Sequence, residues 1–266
     1  MSPERRNFSI IGIVNVTPDS FSDGGIWMDP GKAVEKAFKL AEDGADIVEF
    51  GAESTRPGAS FISEDEEWRR LEPVLFRLMS SPCRFKIGID SNKPSIMTRS
   101  LEFGIHVVND VLGGADEDTL RRLSKDGISY IAMHMHRTPD VMQVDPLNVP
   151  DAVGEVDLFY REKSVYLASC GFPEDRIWLD PGIGFGKTDA ANLNLIKHAY
   201  DNSSNYNIVV GVSRKGFIGR ILDINDPASR DGPSKALEAG LMFAGVRAVR
   251  THDVRGLNRF RELFFI

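Results

Sequence analysis

Short runs of apolar, β-branched residues recur along the chain and alternate with longer segments whose apolar residues fall three and four positions apart. The short runs, at 10–15, 47–51, 85–90, 106–110, 130–133, 177–180, 208–211 and 248–250, read as strands. Between them, Trp68, Leu71, Leu75 and Leu78, and later Val254, Leu257, Phe260 and Phe264, carry the spacing of one buried helix face. Eight such strand–helix units predict an α/β fold, a closed (β/α)8 TIM barrel. No Ser/Gly/Pro-rich linker or composition shift divides the chain, so residues 1–266 are expected to form a single domain. The alternative is an open doubly wound sheet, with fewer strands and one crevice.

Polar residues sharpen that choice, because nearly every apolar run ends in groups that are costly to bury. In order these are Asn15, residues 53–57, Asp90, Asn109 with Asp110, His134, Asp180, residues 213–215, and Arg250 with His252. In a barrel, all strand C-termini open on one end, which is where barrel enzymes keep their sites.

Charge narrows the partners. The 266 residues hold 32 Lys and Arg against 39 Asp and Glu, a formal charge of -7, and no Lys/Arg run of five. Such a surface has no electrostatic footprint for nucleic acid or an anionic membrane, so any anion must be bound locally. The longest apolar runs fall far short of the ~20 residues a membrane span needs, and the first residues lack a signal-peptide core. A cytoplasmic protein is expected. Cys83 and Cys170 cannot make a disulfide framework and read as reduced, structural thiols.

The strand-end residues fall into groups, each open to a plain structural reading as well as a functional one. Residues 15–25, with Phe21 and Asp23, are a polar turn-rich loop. In residues 51–58, Arg56 precedes Pro57 and Gly58 in a Pro/Gly-bounded loop, which suits a planar carboxylate or a solvated loop charge. Asp90, Asn109, Asp180 and Lys215 each follow an apolar strand into the barrel mouth. There they form a structural ion-pair network or receive a small heterocycle, with N–H groups meeting a carboxylate and a carbonyl meeting the Lys. Residues 181–188 resemble a nucleotide loop but fail both templates, with Pro181 and Lys187 where glycines are required. Phe185 in that loop is a candidate stacking face. Arg250 and His252 share one side of the last strand and, beside Asn15, make a candidate phosphate pocket. His134 and His136 have the spacing of a metal pair but lack obvious further ligands, and read better as rim and loop residues.

Taken together, these segments resemble the dihydropteroate synthase family of pterin-binding barrel enzymes. The matching motifs are GIVNVTPDSFSDGG, GADIVEFGAESTRPGA, IDSNKP, NDV, MHM, DPGIGFGKT, VSRKGFIG and VRTHDV, in family order along nearly the whole chain. The resemblance implies a transferase of folate biosynthesis. It would condense 6-hydroxymethyl-7,8-dihydropterin diphosphate with 4-aminobenzoate to give 7,8-dihydropteroate and pyrophosphate. By the same resemblance, Asp90, Asn109, Asp180 and Lys215 hold the pterin. Asn15, Arg250 and His252 bind the diphosphate, and Asn15 ligates Mg²⁺. Thr55 is a further substrate-binding position, Phe21, Arg56, Pro57 and the backbone near Gly216 form the aminobenzoate site, and Asp23 lies in the first mobile loop. A homodimer through barrel helices and sulfonamide competition are also implied. The chain departs from the common pattern at Gly216, where a Ser or larger residue is usual and would bring a hydroxyl to the aminobenzoate carboxylate. It departs again at Ala52 in place of Gly and at His136 in place of Gln. Two other activities remain alternatives: a catalytically silent pterin-binding paralogue, and a methyltetrahydrofolate methyltransferase, although the second family lacks the TPDSFSDGG and STRPG loops.

Overall fold

The computed structural model describes residues 8–17, 29–54, 59, 61–139, 141–142 and 144–264, and within them eight parallel strands make one sheet. The strands are β1 (Ser9–Asn15), β2 (Ile47–Gly51), β3 (Lys86–Asp90), β4 (Val107–Asp110), β5 (Ser129–Met133), β6 (Ile177–Asp180), β7 (Val209–Gly211) and β8 (Ala248–Thr251). Each lies within one residue of the bounds expected from the apolar runs. Strands β1 to β6 pair in chain order, β1 also pairs β8, and β8 pairs β7. The last seam is a single parallel bridge between Leu179 and Ile208, backed by the Leu179 N–H donating to the Asn207 carbonyl at 2.9 Å. That seam brings β6 and β7 together, so the sheet closes as a barrel and the doubly wound alternative is excluded.

Helices cover the outside: α1 (Pro30–Glu42), α2 (Glu64–Met79), α3 (Pro94–Ser100), α4 (Glu117–Lys125), α5 (Asp151–Ser169), α6 (Asp189–Asn202), α7 (Gly216–Leu222), α8 (Asp231–Ala244) and α9 (Val254–Phe264). Eight units led to an expectation of eight helices, but both α7 and α8 lie between β7 and β8. Asp223 turns left-handed at φ 55° and ends α7 after seven residues, leaving room for α8 to pack against β8. The α2 periodicity holds, with Trp68, Leu71, Leu75 and Leu78 all buried. On α9, among the described side chains, Val254 and Leu257 are buried and Phe260 is exposed, Phe264 lying outside them. Two successive steps of three residues fall short of whole turns by about 120° in total, which carries Phe260 off the buried face.

Two cores follow from the two-residue period of a strand. Outward side chains such as Ile10, Val48, Ile89, Val108, Leu179, Val210 and Val249 pack under the helices. Inward side chains Ile11, Ile47, Val107, Ile131, Trp178, Val209 and Ala248 fill the barrel itself. Among the described residues no helix is long and apolar enough to cross a membrane.

Candidate active site

The barrel filling stops after that apolar layer. Two residues further along, the same inward faces present Glu49 on β2, Asn109 on β4, Asp180 on β6 and Arg250 on β8, and Asp90 ends β3 alongside. The strand period therefore stacks a polar layer on the apolar one, toward the C-terminal mouth. Glu49, Asn109 and Asp180 are each no more than 2% exposed, so their hydrogen-bonding capacity must be met inside.

Arg250 organises the layer. Its Nε and Nη2 donate to the two oxygens of Glu49 at 2.8 and 3.2 Å, and its Nη1 donates to Asp180 Oδ2 at 3.0 Å. Burial opposes the guanidinium charge, but Glu49, Asp180 and Asp90 outweigh it and raise the Arg250 pKa. The other Asp180 oxygen accepts the Gly182 N–H at 2.8 Å, tying the loop after β6 to the strand end. Asn109 Nδ2 donates to Asp90 Oδ1 at 3.0 Å, while Asn109 Oδ1 is buried with no partner among the described residues. Burial, reinforced by the Glu49 charge, pushes the Asp90 carboxyl up to about 8, with Arg250 and Asn109 opposing.

Lys215, just past β7, enters no ion pair among the described residues; its Nζ lies 4.1 Å from the centroid of the Phe185 ring. Burial lowers its pKa to about 8, with Asp180 pulling the other way. The loop that carries Phe185 is held by a second buried ammonium. Lys187 Nζ donates to the carbonyls of His134, Gly182 and Phe185 at 3.2, 3.0 and 2.8 Å, and burial lowers its pKa to about 7. Gly182 and Gly186 have positive φ and press against the carbonyls of His134 and His136, where any Cβ would overlap. The loop after β6 is thus moulded on the loop after β5.

His252 lies beyond Arg250 at the rim. Its backbone N–H donates to Ser213 Oγ at 3.1 Å, and its Nδ1 is 3.0 Å from the same hydroxyl. Desolvation by the surrounding protein, together with Arg214, Lys36 and Lys215, lowers the imidazole to about 4. At neutral pH it is therefore an uncharged ring, not the cation that a phosphate pocket would be expected to use. Between these two residues Thr251 faces away from the mouth and donates to the buried Glu238 on α8 at 3.2 Å. Asn15 ends β1 with an exposed side chain.

Phe21, Asp23, Thr55, Arg56 and Pro57 lie outside the described residues. The described stem of the second loop is anchored: Glu53 accepts from Lys93 Nζ at 2.8 Å and from the Ile62 N–H at 2.6 Å, and Lys93 also reaches Glu67. His134 packs edge-on against Phe159, with its ring pKa lowered by burial to about 3, and His136 sits in the following loop. Among the described residues no group of three or more His, Cys, Asp and Glu is placed to hold a metal. Cys83 and Cys170 are free thiols away from the mouth, between α2 and β3 and at the end of α5.

Glu49 was not picked out from the sequence, and Lys187 was noted only where a nucleotide-loop glycine is missing. Glu49 carried a legible signal, a lone carboxylate inside the apolar strand 47–51, whose charge is costly to bury without a cation. Lys187 carried none, because its partners are backbone carbonyls brought near by the closed barrel.

Comparison with known proteins agrees with this geometry. The family model described as "Pterin binding enzyme" matches residues 11–252. A dihydropteroate synthase of Neisseria meningitidis serogroup C is 38% identical over 251 residues, covering 92% of this chain and 88% of its relative. The Yersinia pestis dihydropteroate synthase, solved as a sulfonamide drug complex, superposes with TM-score 0.88 at 32% identity over 97% of this chain and 94% of that one. The Xanthomonas albilineans dihydropteroate synthase with 4-aminobenzoic acid gives TM-score 0.87 at 32% identity over 97% and 93%. A polar layer closed by Arg250 on a full eight-stranded barrel, matched over nearly its whole length, places this chain in the pterin-binding enzyme family, among the dihydropteroate synthases.

Proposed function

We propose that this dihydropteroate synthase, a transferase of folate biosynthesis, holds its pterin substrate in the polar layer above the barrel filling. The observation that carries this reading is the buried, unpartnered Asn109 Oδ1 beside Asp90, an acceptor waiting for a donor in a site already rich in carboxylates. A pterin ring edge supplies N–H donors for Asn109, Asp90 and Asp180, and a ring carbonyl for Lys215. Phe185 flanks the ring. The diphosphate lies at the rim, where Arg250 approaches from below and neutral His252 donates a hydrogen bond. The 4-aminobenzoate meets the backbone near Gly216, with Phe21, Arg56 and Pro57 assigned to the same site and Thr55 to a further substrate contact.

The chemistry needs no protein nucleophile. As the carbon–oxygen bond breaks, the diphosphate leaves with the electron pair and positive charge develops on the methylene conjugated to the pterin. The Asp180 carboxylate favours that charge, Asp90 joins it only as the developing cation draws its raised carboxyl into the ionised form, and Arg250 and His252 favour the leaving group. The aminobenzoate nitrogen forms the new bond to the methylene and its proton passes to solvent. Asn15, exposed at the end of β1, would offer one oxygen to a Mg²⁺ held mainly by the diphosphate. When bound, the metal neutralises charge on the leaving oxygens. The same reading takes residues 1–266 as one domain acting in the cytoplasm, as a homodimer through the outer helices. The test is pyrophosphate release from the two substrates with Mg²⁺ present. Folded protein that releases none would refute the assignment.

A further inference from the structure

The resemblance sets a Ser or larger residue at position 216, and in this chain the space over Gly216 is filled from elsewhere. Gly216 opens α7 with its backbone exposed, and Arg220 lies four residues on, on the same helix face. A Cβ built on Gly216 would stand 3.1 Å from Arg220 Nη1, so the guanidinium covers the place where a longer side chain would project. The guanidinium is also fixed. Its Nε donates to Asp189 Oδ1 and Oδ2 at 3.1 and 2.9 Å, and its Nη2 donates to Oδ1 at 2.6 Å. Asp189 is the first residue of α6, directly after the loop that carries Phe185. The tether thus joins the start of α6 to α7, the helix that follows Lys215. It engages the Nε/Nη2 edge of the fork and leaves Nη1 without a partner among the described residues.

We propose that Arg220 recognises the carboxylate of 4-aminobenzoate in this chain, Nη1 standing in for the hydroxyl that relatives commonly present at position 216. The proposal rests on the reading that places the aminobenzoate against Gly216. It has a consequence for specificity. A hydroxyl serves a carboxylate and a neutral sulfonamide about equally, whereas a guanidinium makes its stronger, charge-assisted bond only to the anion. Arg220 therefore favours substrate over sulfonamide.

Initial rates of pyrophosphate release on Arg220→Gln, Arg220→Lys, Asp189→Asn and Gly216→Phe test this, with sulfanilamide as the neutral competitor. Arg220→Gln is expected to raise KM for 4-aminobenzoate about tenfold, the scale of one charge-assisted bond at a half-open site, with the Ki of sulfanilamide little changed. The KM for the pterin diphosphate stays within about threefold, because that substrate binds elsewhere. Arg220→Lys and Asp189→Asn, which lose the fork and the tether respectively, fall between. An unchanged KM in Arg220→Gln, with a raised KM in Gly216→Phe, keeps the aminobenzoate beside Gly216 and overturns the role of Arg220. If neither variant moves KM, the placement of the aminobenzoate is itself wrong and the proposal falls with it. Equal losses for 4-aminobenzoate and sulfanilamide also overturn it, since they show lost packing and not lost charge.

Discussion

Glu238 offers a test of how the fold supports the last strand. It is 1% exposed on α8, accepts one hydrogen bond from Thr251, and leaves Oε1 without a partner. Burial raises its pKa to about 8 from the ordinary 4.5, so the folded protein holds it neutral while the unfolded chain ionises it. A raised carboxyl pKa means that folding takes up a proton, and stability is lost as pH rises from the unfolded value toward the folded one. Between about pH 5 and pH 8 the loss amounts to about 3–4 kcal/mol, from about 1.36 kcal/mol per pH unit once the unfolded carboxyl is ionised. Replacing Glu238 by Gln or Leu at similar volume removes the titration. At pH 5 each variant is expected to be equal to or less stable than the parent, by about 1 kcal/mol for the unsatisfied amide of Gln. At pH 8 each is expected to be more stable. Urea unfolding at half-unit pH steps, read as the difference between variant and parent, cancels every other titrating group. A difference that stays flat across this range would show that Glu238 is ionised in the folded protein, and would refute the account of α8 and β8.

Arg250→Ala is expected to cost turnover and also fold stability, since it strands Glu49 and Asp180 as unpaired buried carboxylates, a loss of about 3–5 kcal/mol. This differs from a purely catalytic role, and thermal unfolding checks it, with Glu49→Gln in the same chain recovering part of the loss. Lys215→Met should lower turnover more than tenfold in pyrophosphate release while leaving the melting temperature nearly unchanged, because Lys215 has no ion pair to break among the described residues. Gly182→Ala is expected to destabilise by more than about 1 kcal/mol in urea unfolding, combining a left-handed φ of 65° with overlap on the His134 carbonyl.

How much was legible beforehand differs from element to element. Strand positions were readable because fully buried parallel strands are short apolar runs, here eight of them separated by helix-length segments. The mouth residues Asp90, Asn109, Asp180 and Arg250 were readable because each interrupts such a run where burial is costly. The extra helix α7 was not, since its end depends on Asp223 adopting a left-handed turn. The α9 face was misread because a tally of three-residue steps ignores the rotation they accumulate.

The chain by itself determined the barrel and which residues line one end of it, since local apolar periodicity and strand-end polarity are properties of neighbours in sequence. Only the tertiary structure decided who pairs with whom. Glu49 and Arg250 are 201 residues apart and meet because β1, lying between β2 and β8, brings those strands near across the barrel. Lys187 finds its three carbonyls because two loops are pressed together, and Arg220 comes to cover Gly216 because Asp189 holds it there. Charge states belong to that same level. Asp90 and Lys215 are drawn toward about 8, and His252 is kept neutral, by burial and by charges that only the closed barrel brings within reach.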